Sequence, residues 1–210
     1  MSEQKAPVKL KDKWRQKKWY TVVAPSAFGN IDLGKTLSDE PQKLVGRVLE
    51  STLYNITEDF SQLHVKLFFK IVKVEGDKAY TTFQGHDMAR DYLRSLVRRG
   101  SSRIDGIFPI TTRDGYTMRV GVIAVSTVRT KSSQKHSIRG IMEETVRKKN
   151  GQLLYDELVQ QLVLGKIASE IYNAAKSVYP LRKIEVRKSE LAGVGGPQAA
   201  AAAPVEQPAQ

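Results

Sequence analysis

The chain has 210 residues, 40% hydrophobic and 27% charged, which is enough for one large domain or two small ones with a hydrophobic core. Lys and Arg number 34 against 22 Asp and Glu, and the resulting net charge of +12, with a pI near 9.8, points to polyanions: nucleic acid or an anionic membrane. The lack of cysteine excludes disulfides, thiol catalysis and Cys-based zinc sites, and no apolar run approaches the roughly 18 residues that a spanning helix needs.

Residues 1–18 are polar, with almost no apolar periodicity, and read as a basic extended arm. They hold seven cations (Lys5, Lys9, Lys11, Lys13, Arg15, Lys17 and Lys18) against Glu3 and Asp12. No apolar stretch follows, so the arm does not read as a signal peptide. Trp14 and Trp19 stand among these cations. An indole there can stack on an unpaired base or pack inward; inward packing is favoured for Trp19, and Trp14 is left open.

Residues 19–24 (WYTVVA) are rich in β-formers and read as a strand stopped by Pro25. Gly29, Gly34 and Pro41 punctuate 26–44, which is expected to be irregular. Residues 45–53 alternate apolar and polar and read as a second strand. In 63–74, Leu63, Val65, Leu67, Phe69 and Ile71 share a face, and the alternation then shifts to Val72 and Val74, the mark of a bulge. His64 falls on the outward face of that strand. Glu75-Gly76-Asp77 turns the chain into a strand at 78–84.

A helix is predicted over 87–99, with Asp87 as its N-cap and Arg90, Arg94 and Arg98 as a row of cations on one side. Asp114-Gly115 predicts a hairpin between 104–112 and 116–128, with Pro109 placing the first strand at an edge or in a bulge. Residues 129–149 carry seven cations against Glu143 and Glu144. They read as an adaptable polar loop entering a helix near Ser137. Helices around Leu154–Leu162 and Ile167–Val178 follow, broken at Gly151 and Gly165, then a strand at 181–188. Residues 191–210, rich in Ala, Pro and Gln, read as a disordered tail. The fold class is therefore α+β: an antiparallel curved sheet or small barrel with helices packed on one side, forming a single domain over 19–190.

Residues 29–36 (GNIDLGKT) fit the phosphate-loop pattern G-x-x-x-x-G-K-[ST]. A working loop follows a strand and opens a helix, whose N-terminus cradles the phosphates. Pro41 follows too soon for that helix, and no βαβ alternation surrounds the loop. His64, His86 and His136 lack metal-ligand spacing, and no serine occupies a nucleophile elbow. No enzyme, metal or cofactor is implied. Clusters of like charge as dense as 1–18 and 129–149 repel themselves unless a polyanion is present, so a polyanion is the favoured partner. An amphipathic membrane helix near 137–149 is disfavoured because Glu143 and Glu144 interrupt its cations.

In order along the chain, WYTVVAPSAF (19–28), IDLGKT (31–36), GRVLESTL (46–53), FQGHDMARDYLRSLVRR (83–99), TTRDGYTMRV (111–120), SSQKHSIRGIMEE (132–144) and SVYPLRKIEVRK (177–188) resemble the "three-A-e" family of small-subunit ribosomal proteins of archaea and eukaryotes. The shorter tail resembles archaeal members. The resemblance implies a structural, cytoplasmic ribosomal protein on the platform of the small subunit, near the 3′ end of its RNA and the mRNA exit. Its implied partners are ribosomal RNA, neighbouring ribosomal proteins and mRNA near the exit, with no membrane and no homo-oligomer. RNA contact is expected at Lys11, Lys13, Trp14, Arg15, Lys17 and Lys18 of the arm and at Arg94, Arg98 and Arg99. It is also expected at Arg129, Lys131, Lys135, His136, Arg139, Arg147, Lys148 and Lys149.

Overall fold

The computed structural model describes Trp14 and residues 17–193. The expectations for Lys11, Lys13, Arg15 and residues 194–210 lie outside the described residues.

Lys18–Val23 forms strand β1, in which Tyr20 and Val22 point inward. Trp19 falls on the alternate side and is 63% exposed, so the expectation that it packs inward is corrected by the period of the strand. Asp32–Ser38 forms β2, paired antiparallel with β1. This strand falls where an irregular segment was expected. Its buried positions include Thr36 and Ser38, so it lacks the apolar alternation that marks a strand.

Val48–Thr52 (β3), the single-turn helix Tyr54–Thr57 (α1), Val65–Glu75 (β4) and Lys78–Met88 (β5) follow. The β4–β5 register shifts between Ile71 and Lys73, which is the bulge the phase change predicts. Leu63 and His64 precede β4 rather than belonging to it. His64 stacks on Tyr92 at 3.7 Å between centroids instead of lying on an outward strand face.

Helix α2 spans Arg90–Leu96, shorter than predicted at both ends. Asp87 is not its cap, because the sheet claims residues 85–88: β5 continues to Met88 against β4. After Leu96 the chain extends at Val97 and turns, with Ser101 Oγ donating to the Arg98 carbonyl at 2.6 Å. Arg103–Thr111 (β6) and Thr117–Ser126 (β7) form the predicted hairpin. β6 is a terminal strand, so Pro109 removes no N–H that a second neighbour would need.

Ser132–Lys148 (α3), Tyr155–Val163 (α4) and Lys166–Ala175 (α5) lead to Leu181–Gly193 (β8), which runs five residues beyond the predicted strand. Helix α3 begins five residues before Ser137. Most of the expected polar loop is therefore helical, started by Gln134 Oε1 accepting from the Lys131 N–H at 3.0 Å.

The eight strands form one open, mixed sheet in the order β2-β1-β5-β8-β7-β6, with β4 also against β5 and β3 against β4. Pairing is antiparallel except between β1 and β5, which run parallel. One apolar core joins Leu67, Phe69, Phe83, Ile104, Val120 and Val122 of the sheet to Ile138, Met142, Leu158, Ile167 and Ile171 of α3–α5. A smaller cluster holds Tyr20, Val22, Leu44, Ile71 and Ala79. On β8, Ile184 and Val186 are buried, while Glu185 and Lys183, on the alternate face, bond the Tyr92 hydroxyl of α2. Strand alternation thus sets the short α2 on the face opposite α3–α5.

β8 joins the two halves of the sheet through a seam with β5 at only Gly85↔Glu190, His86↔Ser189 and Asp87↔Lys188. A side chain at position 85 would place Cβ 2.2 Å from the Ser189 carbonyl oxygen, so the approach requires glycine. His86, 1% exposed, bonds the Val186 carbonyl through Nε2 at 3.1 Å and Ser189 Oγ through Nδ1 at 2.7 Å. Both contacts are met by the neutral ring with its proton on Nε2. Burial holds its pKa below the ordinary 6.5.

Below about pH 6.5 the unfolded chain takes a proton that the buried ring refuses, so this contribution to stability is intact above that pH and is lost as pH falls. The slope is at most about 1.4 kcal/mol per pH unit for one site. In urea titrations from neutral pH to about one unit below that value, His86→Gln is expected to start less stable than wild type but to lose less on acidification. Equal losses would place the pH sensitivity elsewhere; His64, also pushed down by burial, is common to both proteins.

Candidate nucleic-acid interface

The cations divide into those the protein neutralises itself and those it leaves open. In the second half of α3, Arg147 pairs with Glu143 at 2.8 Å, Lys148 with Glu144 at 2.9 Å and Lys149 with Glu170 at 2.9 Å. The first two are exposed i,i+4 pairs worth a few tenths of a kcal/mol, but they hold carboxylates beside cations that a phosphate would have to approach.

The first half of α3 differs. Arg129, Lys131, His136 and Arg139 are exposed and Lys135 is half-buried, and none pairs with a carboxylate among the described residues. Arg139 Nε donates to the Asp105 carbonyl at 3.1 Å, which ties the helix to β6 and steadies the guanidinium. Ile138 and Met142 anchor the opposite side of α3 in the core. The helix N-terminus lies among these cations and adds its own partial positive charge. Phosphate contacts of the kind that position RNA need this arrangement: fixed cations and donors with no competing anion.

A second basic region lies on the other face. Arg90, Arg94, Arg98 and Arg99 are exposed around α2, and none has an ion pair among the described residues. The row foreseen for Arg90, Arg94 and Arg98 is broken, since Arg98 follows the helix end. In exchange the fold brings Arg103 of β6 and Arg187 of β8 to Arg90 and Arg94. Arg187 is close to a hundred positions from α2 in the chain, and no local signal reveals it. At the arm, Trp14 is 68% exposed, and Lys17 Nζ lies 4.2 Å from its ring centroid, a cation–π contact. Lys18, exposed, opens β1 rather than closing the arm.

A cavity of about 780 Å³ has the opposite character. Asp114, Asp156 and Glu157 line it with Tyr80, Tyr116 and Tyr155. Asp114 accepts from the Tyr155 N–H at 3.0 Å, and the Tyr155 hydroxyl donates to the Phe83 carbonyl at 2.6 Å. Burial pushes the Tyr155 hydroxyl far up, so it remains a donor. Carboxylates repel phosphates, and this end is set apart from the basic regions despite its volume.

The phosphate-loop pattern has no loop. Gly34, Lys35 and Thr36 lie in β2, paired with Val22, Thr21 and Tyr20. Thr36 Oγ1 accepts from Arg47 at 2.7 Å. An extended strand offers neither a nest of amides nor a helix N-terminus, so a nucleotide phosphate has no cradle here.

Residues 5–193 match the Ribosomal S3Ae family. The chain belongs to that family. The match ends where β8 ends, at Gly193, and leaves the Ala/Pro/Gln segment outside. Among relatives named small ribosomal subunit protein eS1, that of Desulfurococcus amylolyticus is 51% identical over 201 residues, covering 96% of this chain and 94% of the relative. That of Staphylothermus marinus is 49% identical over 201 residues, covering 96% and 95%. That of Saccharolobus solfataricus is 50% identical over 182 residues, covering 87% and 88%. Family membership accounts for a basic surface without catalysis: S3Ae proteins are structural, not enzymes.

The two halves of α3 are expected to separate in a salt titration on heparin or RNA. Lys131→Ala/Lys135→Ala should flatten the dependence of log affinity on log salt by about 1.5, the value for two lost phosphate contacts. Arg147→Ala/Lys148→Ala removes the same formal charge and should change the slope by less than half of that. Equal changes would show that the intramolecular pairs do not matter.

Proposed function

We propose that the chain is a structural constituent of the small ribosomal subunit that binds ribosomal RNA and neighbouring ribosomal proteins in support of translation. It works by positioning RNA: its cations displace condensed counterions along the phosphate backbone, so affinity falls steeply with salt. The observation that carries this reading is the set of unpaired cations on the first half of α3 and around α2, in a chain of the S3Ae family. The contacting residues proposed are Trp14, Lys17, Lys18, Arg94, Arg98, Arg99, Arg129, Lys131, Lys135, His136 and Arg139, together with the arm cations Lys11, Lys13 and Arg15. Arg147, Lys148 and Lys149 contribute less, because they must leave their glutamates.

We further propose, from the resemblance of the ordered segments, a place on the platform near the 3′ end of the RNA and the mRNA exit, with mRNA passing close by. A single copy in the cytoplasmic ribosome, without self-association or a membrane, follows from the same reading. Salt-stripped small subunits incubated with the full chain provide the test. Co-sedimentation at moderate salt, with chemical crosslinks from α2 and α3 to RNA near the 3′ end, is the expected result. Failure to co-sediment would exclude the function, and crosslinks confined to a distant RNA domain would exclude the location.

A further inference from the structure

Four arginines surround one hollow on the α2 face. Arg90 and Arg94 come from α2, Arg103 from β6 and Arg187 from β8, and Leu93 and Val97 complete the lining. The hollow has a volume of about 360 Å³, and no carboxylate lines it. That volume suits a small ligand, at the lower end of the roughly 300–1,000 Å³ of such pockets. Arg90, Arg94 and Arg187 have no ion pair among the described residues. Arg103 meets Asp105 through Nε at 2.9 Å, so the pair occupies one edge of its guanidinium. Three separate elements hold the arginines, so their convergence is a product of the tertiary fold and not of one helix face.

The combination of groups restricts the occupant. Four guanidiniums around one concavity exceed what a single phosphate on a smooth RNA helix can engage, and duplex RNA presents no apolar surface to Leu93 and Val97. An unstacked nucleotide presents both: phosphate oxygens that accept paired N–H bonds, and a base whose face packs on aliphatic carbon or on the plane of a guanidinium. Lysine could supply the charge but neither the planar fork nor the stacking surface. We propose that this hollow receives one unstacked nucleotide of single-stranded or bulged RNA, its phosphate held by Arg90, Arg94 and Arg187 and its base seated over Leu93 and Val97. Arg103 closes the far side. The proposal rests on the reading of the chain as an RNA-binding ribosomal protein and adds a site and a structural class of RNA to it.

The test uses the full chain and its Arg90→Lys/Arg187→Lys variant, which keeps the charge and removes two forks. Fluorescence anisotropy measures binding of a short labelled oligouridylate and of a blunt RNA duplex of matching length, with circular dichroism to confirm equal folding. The expected result is oligouridylate binding about tenfold weaker in the variant, with duplex binding unchanged. Equal weakening of both RNAs would mean a general basic surface and would overturn the proposal. No change for either, or a loss for the duplex alone, would overturn it as well. Co-sedimentation of both proteins with small subunits is scored separately: if wild type fails there, the broader function falls, whereas a negative anisotropy result with co-sedimentation intact removes only the nucleotide site.

Discussion

The three-residue seam between β5 and β8 is the constraint on which the rest of the molecule depends. One half of the sheet, β1–β5, and the other, β6–β8 with α3–α5, touch through the backbone at Gly85, His86 and Asp87. Few ladder bonds span that junction, so side chains reinforce it: a buried imidazole reaches forward to Val186 and Ser189, and a glycine lets the strands close. His64 stacked on Tyr92, and Tyr92 bonded to Glu185, extend the junction toward α2. With β8 fixed in this way, Arg187 arrives beside Arg90 and Arg94. The basic hollow is therefore a consequence of how the halves join.

Charge is distributed with the same economy. A protein of net charge +12 would repel itself if every cation were open. Here the second half of α3 and several strand positions carry their own carboxylates: Lys66 with Glu50, Lys73 with Glu75 and Lys188 with Glu190. Open cations include those of the first half of α3 and around α2, but also Lys70, Lys78, Arg119, Lys166, Lys176 and Arg182, which are exposed and have no carboxylate partner among the described residues. The cavity between the start of α4 and the β6–β7 turn is lined instead by Asp114, Asp156 and Glu157 with Tyr80, Tyr116 and Tyr155. Leu93 and Leu96 of α2 and Ile138 and Met142 of α3 are buried, so the cations on these helices are held at fixed positions on the surface.

Much of the architecture is legible in the amino-acid order because it is local. The Asp114-Gly115 hairpin, the bulge at Val72 and the breaks at Gly151 and Gly165 each follow from a turn or a period and stand where those signals place them. Local reading falls short where a tertiary partner decides. β2 carries polar residues inward and exists because β1 pairs with it. Asp87, a good cap by sequence, belongs to β5 because β4 and β8 hold that segment. The same limit applies to the site. Charge density identifies α3 and the Arg90–Arg99 segment, but not that Glu143, Glu144 and Glu170 neutralise one end of α3, nor that Arg103 and Arg187 complete the hollow.

The central claim is that RNA docks on the first half of α3 and the α2 face, both positioned by the seam. Amide hydrogen exchange of the full chain, free and bound to small-subunit ribosomal RNA, addresses it directly. Slowed exchange over residues 90–99 and 131–139 on binding, with residues 153–157 beside the acidic cavity unchanged, is the predicted result. Protection centred on 153–157, or confined to 143–149 with none at α2, would contradict it.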